Sequence, residues 1–290
     1  MCLGALALPA LREACQGGGA EGRSHDEGLA AATGTGGGHA DSCGADKPSV
    51  KSMSAATGWA GLQRMQRTGA PRLQRRRRAL LAAPILVPVS MAGAFALLQR
   101  LLGPRRAYNA SFALYWTGWC LAFPLWLAGP RRVLRLLRDG ARPSAAELAL
   151  LALPVAGAAA TELVPNRPAI DPKVAAVMIG TAVVNATGEE LLWRGAYLDA
   201  FPDEPWPGAV WPWVGFTLWH LAPQLILPSR RGRAQFLAGA GLVGAASARV
   251  AWRARGLRWT LPGHILTDAC GVHAALYRLG RLDEGHPPAS

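Results

Sequence analysis

From Ala79 to Leu279 the chain is a succession of apolar runs separated by short arginine-rich breaks, and nothing else in it restricts the fold as strongly. A hydrocarbon core about 30 Å thick takes roughly 20 apolar residues of helix. Runs at approximately 79–102, 110–128, 146–164, 173–200, 208–228, 234–252 and 257–279 meet that length. The expected fold is therefore all-α, a polytopic integral membrane bundle of about seven transmembrane helices. The third run contains Pro154 and Glu162, and the fourth is long enough to tilt. The small residues of "AGAGLVGAASA" in the sixth suit close helix packing in lipid. No internal repeat is visible.

The N-terminal part is unlike the rest. Residues 1–78 include "GGGAEGRSHDEGLAAATGTGGGHADSCGADKPSVKS", which has no sustained apolar period. Such a tract cannot bury enough surface to offset its chain entropy and is expected to be disordered. The expected organisation is 1–78 disordered, 79–280 membrane-embedded with a functional core at about 173–280, and 281–290 a short tail. The opening "MCLGALALPAL" has no basic segment before it, so a secretory signal fits poorly. An organelle transit segment and a wrongly chosen start both stand as readings, with Met53, Met65 and Met91 as alternative starts.

The formal charge of +13 comes mostly from arginines between the apolar runs, as in "QRRRRALL" and "GPRRVLRLLRDGARP". No stacking aromatic pattern accompanies them, so membrane loops and not nucleic acid explain the charge. With the N-terminus inside, alternate loops hold 14 basic residues on the inner side and 10 on the outer. That bias favours a cytoplasmic N-terminus. The five cysteines are odd in number and form no CxxC pair, which argues against a disulfide framework or a zinc knuckle.

Charges inside the runs are the informative exceptions. The stretch "TGEELLWRGAYL" places Glu189, Glu190 and Arg194 in the fourth run. An ionisable residue at the centre of a span costs about 2.5–3.5 kcal/mol or more. Glu190 and Arg194 are spaced i, i+4 and can form a structural ion pair. Glu189 lies about 100° around the helix and needs another partner or a purpose. "GFTLWHLAP" puts His220 in the fifth run, one turn after Phe216. "LPGHILTDACG" puts His264 and Asp268 on one helix face in the seventh. A single histidine in a span is usually a packing residue; two of them with a carboxylate are harder to explain that way. Because successive spans alternate direction, Glu189, His220, His264 and Asp268 come to lie about 11–17 Å from one membrane face at 1.5 Å per residue.

The patterns EExxxR (Glu189, Glu190, Arg194), FxxxH (Phe216, His220) and HxxxN/D (His264, Asp268), in order and each in its own apolar run, resemble the motifs of the CPBP family. That family contains the CAAX prenyl endopeptidases and the bacteriocin-processing Abi proteins. The resemblance covers about 173–280. It implies an intramembrane endopeptidase in which Glu189 activates water with His220 as partner, while His264 and residue 268 line the oxyanion side. Arg194 would hold Glu190 and leave Glu189 free. Family members often carry Asn where this chain has Asp268. Asp268 has three readings: it orients His264 (the favoured one), it is a protonated donor, or it ligates a metal. Zinc is a candidate cofactor through Glu189, His220, His264 and Asp268, although HExxH is absent. Asn185, Thr187 and His273 are candidate supporting groups, with His273 better read as a packing residue. The implied partners are a membrane-associated peptide or protein and membrane lipids, with the site opening to the cytoplasmic face. The competing functions are a non-catalytic scaffold or immunity protein that keeps the motifs, and a proton-coupled transporter, which the lack of a repeat disfavours.

Overall fold

A computed structural model of the chain describes residues 55–282. The expectations for residues 1–54 and for the tail from 283 onward lie outside the described residues. Every regular element among the described residues is helical. They are α1 (Ala55–Leu102), α2 (Pro104–Ala128), α3 (Pro130–Arg138), α4 (Ala145–Ala169), α5 (172–200), α6 (206–219), α7 (Arg233–Ala254), α8 (Thr260–Asp268) and α9 (Val272–Arg278).

Two stretches, Arg72–Leu102 of α1 and Ala145–Ala169 of α4, are long and apolar enough to cross a membrane. The pair α2 and α3, bent by 106° at Gly129, makes a third if it is one span. Two to three spans thus satisfy length and composition, where the apolar runs suggested about seven. The other runs are interrupted for local reasons. α5 carries its charges inside the helix. α6 stops at Trp219, with His220 as its C-cap, and does not continue to 228. The run 257–279 is split into α8 and α9 at residues 269–271. The N-terminal boundary is also corrected. α1 begins at Ala55, so residues 55–78 are helical in a stretch expected to be disordered. Leu, Gln, Met and Arg between the glycines there are good helix formers despite the weak apolar pattern.

Local chemistry sets the helix ends. Ser144 accepts from the backbone N–H of Glu147, and the Glu147 carboxylate accepts from Ser144 N–H in return, a reciprocal cap that starts α4. Asp171 accepts from Val174 N–H at 2.9 Å, and Pro172 follows at the first helical position of α5. This hydrogen bond, with Arg281 beside it, holds the Asp171 carboxyl below its usual range. At the other end of α5, Asp199 pairs with both Arg76 and Arg132. The two arginine groups read from the loops therefore meet at the same end of one helix.

α8 and α1 make the most extensive helix contacts. α8 lies along α5 and against α4, while α1 packs on α2 and α6. α6 in turn packs on α7, where a Cβ on Gly244 would meet Trp213 and Phe216 side-chain atoms at 2.6 and 2.8 Å. The small-residue stretch of the sixth run is thus the seat of two aromatic rings. α2 approaches α5 just as closely. A Cβ on Gly188 would lie 2.6 Å from Cys120 Cβ, so the helix next to Glu189 tolerates only glycine. In lipid, such close contact supplies the dispersion attraction that holds helices together.

Candidate active site

The α-helical winding of α5 ends at Glu190, and a π-helical turn, Leu191–Gly195, follows. Turns of this kind recur at functional sites. This places Asn185 and Glu189 on one face and Glu190 with Arg194 on the next, all directed into the protein.

Glu190 is fully buried and is the structural centre of the cluster. Its Oε1 lies 3.4 Å from Arg194 Nη1 and accepts from His264 Nδ1–H at 2.9 Å. Its Oε2 accepts from Thr260 Oγ1 at 2.6 Å. The Arg194 guanidinium sits 4.2 Å above the Phe216 ring and donates to Gly244 O. The phenylalanine of FxxxH therefore faces the arginine of EExxxR, a cation–π contact that balances part of a buried charge.

Glu189, 1% exposed, is not held by Arg194, but it is not free of partners. Its Oε1 accepts from Tyr115 O–H at 3.1 Å and from Trp219 Nε1–H at 2.8 Å. Its Oε2 accepts from Asn185 Nδ2 at 3.1 Å and lies 3.4 Å from His264 Nε2. These are the other partners that a carboxylate not held by Arg194 requires. The donors are neutral groups, which spacing rules for ion pairs do not register.

Asp268 pairs with His264 at ion-pair distance but makes no hydrogen bond to its ring. Its Oδ1 is 3.6 Å from His264 Nε2, too long for a hydrogen bond, whereas Nδ1 is fixed by Glu190. Asp268 Oδ2 instead accepts from Asn185 Nδ2 at 2.8 Å. His220 donates Nδ1–H to Phe216 O at 2.7 Å, and its ring packs among Phe216, Trp219 and Phe236. Among the described residues no hydrogen bond joins it to Glu189, although it lies within electrostatic reach of that carboxylate. Asn185 is thus a full member of the site. Thr187 and His273 make none of these contacts, and His273 Nδ1 is buried without a hydrogen-bond partner.

One oxygen each from Glu189 and Asp268 and a ring nitrogen of His264 lie within 4.8 Å of one another. These donor types suit zinc. The Nδ1–H bond from His264 to Glu190 also leaves Nε2 facing the two carboxylates, the arrangement of a metal-bound histidine braced by an outer carboxylate. The three groups fit a metal ion, and they fit a water molecule equally well. His220 is not one of the three.

Residues 171–270, which include all seven motif residues, match the family described as type II CAAX prenyl endopeptidase Rce1-like. The matched segment is 100 of the chain's 290 residues, and over it the chain is similar to the CPBP/CAAX protease family. No curated protein and no solved structure matches it. With its long apolar helices, the family match makes this an integral membrane protein.

Tyr115, Trp116, Trp193, Trp219 and Thr260 complete the site and were not singled out from the sequence. The available signal was chemical. An indole N–H in an apolar run needs an acceptor, and Trp219 directly precedes His220.

Proposed function

We propose that this chain is an intramembrane endopeptidase of the CAAX type, with Glu189 activating water in a polar cavity between α5, α6 and α8. The observation that carries the reading is the convergence of Glu189 Oε2, His264 Nε2 and Asp268 Oδ1 on one small space. Water there loses a proton to Glu189 as its oxygen attacks the scissile carbonyl. The same proton passes to the leaving amine as the C–N bond breaks. With both ring nitrogens protonated, His264 donates to Glu190 through Nδ1 and to the developing oxyanion through Nε2. Glu190 and Arg194 hold His264 in place and do not touch the substrate. His220 adds its electrostatic influence on Glu189.

The family description supplies the substrate class for this proposal: a membrane-associated protein or peptide ending in a prenylated cysteine and three further residues. We place the site toward the cytoplasmic face and retain a multi-pass topology, because basic residues in the inner loops outnumber those in the outer loops when the N-terminus is inside. A reporter fused after Ser290 is then protected from cytoplasmic labelling reagents, and its labelling would reject seven spans with an inside N-terminus.

Zinc is retained as a proposal on Glu189, His264 and Asp268, where it would polarise the scissile carbonyl. Asp268→Asn separates the cases. With water alone, the amide oxygen still accepts from Asn185, and activity stays within about tenfold of wild type. With zinc, activity disappears on chelation and the purified protein carries one metal ion.

A second reading has its own support. Protein groups supply three hydrogen bonds to Glu189, which suits a non-catalytic scaffold. The deciding experiment is hydrolysis of a farnesylated CAAX peptide by the purified protein in liposomes, followed by mass spectrometry. Release of the terminal tripeptide supports the peptidase, and no cleavage under any metal condition supports the scaffold.

A further inference from the structure

We infer that Tyr115 and Trp116, two consecutive residues of α2 outside the family-matched segment, are positioning residues that select Oε2 of Glu189 as the oxygen that receives the proton. The inference rests on the peptidase reading above.

The argument begins with direction. An indole N–H donates and cannot accept, while a phenol has a single proton to give. Trp193 Nε1 donates to Tyr115 Oη at 2.8 Å, so the tyrosine proton is committed to Glu189 Oε1 at 3.1 Å. Trp219 Nε1 donates to the same Oε1 at 2.8 Å, and its ring stacks on Tyr115 with centroids 3.7 Å apart. Oε1 therefore receives two donors of fixed polarity, both supplied by rigid rings. That oxygen is occupied, and Oε2 is left facing His264.

Trp116 fixes the other side by the same logic. Its Nε1 donates to Asn185 Oδ1 at 2.8 Å, which sets the amide so that Nδ2 faces the carboxylates. Asn185 Nδ2 then donates to Asp268 Oδ2 at 2.8 Å and to Glu189 Oε2 at 3.1 Å. One amide group ties together two acidic side chains from α5 and α8. Without it the two acidic side chains share only His264 Nε2, at 3.4 and 3.6 Å.

Two adjacent residues reach the same site because the winding of α2 changes where they sit. Tyr115–Ala122 is π-helical, so successive side chains turn through less than the 100° of an α-helix. The absence of a side chain at Gly188 allows Cys120 of this same segment to contact α5, which brings the tyrosine and tryptophan within range.

The test uses full-length protein labelled with 15N-tryptophan in nanodiscs, with Tyr115→Phe and Trp116→Phe compared with wild type. Phenylalanine keeps each aromatic surface and removes only the polar group in the first case. Indole N–H resonances are assigned by single Trp→Phe changes. In Tyr115→Phe the Trp193 resonance shifts because its acceptor is gone, and the Trp219 resonance shifts because it no longer shares Oε1. On the farnesylated peptide, both variants lose about 10–100-fold in kcat, as supporting partners of a site group do, with KM within about twofold. A Trp193 resonance unmoved in Tyr115→Phe would overturn the network. An unchanged kcat in both variants, with wild type active, would overturn the positioning role alone. A wild type that cleaves no peptide would overturn the peptidase reading on which the role depends, while the resonances still decide the geometry.

Discussion

The helices that look most like membrane spans and the helices that carry the chemistry are different sets. α1 from Arg72 and α4 are long, and large apolar side chains stand exposed along them: Ile85, Leu86, Val89 and Leu97 on one, Leu148, Leu153 and Val164 on the other. α5, α6 and α8 are short or interrupted, and they bury Glu189, Glu190, Arg194 and His264. Each set supplies what the other lacks. The apolar helices give a surface compatible with lipid. The interrupted helices hold ionisable groups that lipid would penalise by several kcal/mol if they stood alone. Irregular backbone at membrane depth is tolerated where protein surrounds it, which is where these π-turns and helix breaks occur.

The comparison predicts that equal-sized changes have unequal effects in the two regions. The largest loss of stability is expected for Glu190→Ala, which strands Arg194 in the interior and removes the acceptor of Thr260 and His264. Breaking one member of a buried pair costs about 3–5 kcal/mol, measurable as denaturant unfolding in detergent. A loss under 1 kcal/mol would mean that Arg194 finds another partner and that the interior is wetter than described. Gly188→Ala comes next. The added methyl meets Cys120 Cβ at 2.6 Å, and overpacking costs about 1–3 kcal/mol. Cys120→Gly in the same chain should restore part of that loss. If it restores none, the α2–α5 contact does not set the spacing.

Smaller effects belong to the apolar set. Ser144→Ala removes the cap of α4 and is expected to cost about 1 kcal/mol. Leu153→Ala on the outer face of α4, where the side chain is 57% exposed, should change stability by no more than about 0.5 kcal/mol. A larger effect at Leu153 would show that α4 has a protein partner on that face and would blur the division between the two regions.

The sequence made the second region easier to find than to interpret. Spacing alone paired Glu190 with Arg194, because i, i+4 contacts depend only on helix geometry. It also brought Glu189, His220, His264 and Asp268 to a common depth, of which the structure joins Glu189, His264 and Asp268. It did not reveal that Glu190 orients His264, since that contact joins residues 74 apart in the chain. Nor did it reveal the donors on Glu189, because Tyr115, Trp116 and Trp219 count as apolar residues in any hydropathy reading. The helix interruptions were hidden for a related reason. An apolar run shows that a segment prefers lipid or protein interior, but not that its helix stops at Trp219 or breaks at residues 269–271.

The central claim is that Glu189 is the base of a peptidase, and Glu189→Gln tests it most directly. The amide keeps the size of the side chain and retains an oxygen to accept from Tyr115 and Trp219, so the protein should accumulate and unfold close to wild type. Hydrolysis of the farnesylated peptide in liposomes should fall by at least about 10²–10⁴-fold, the range for loss of a general base. A Glu189→Gln protein that folds normally and still cleaves at the wild-type rate would contradict the account.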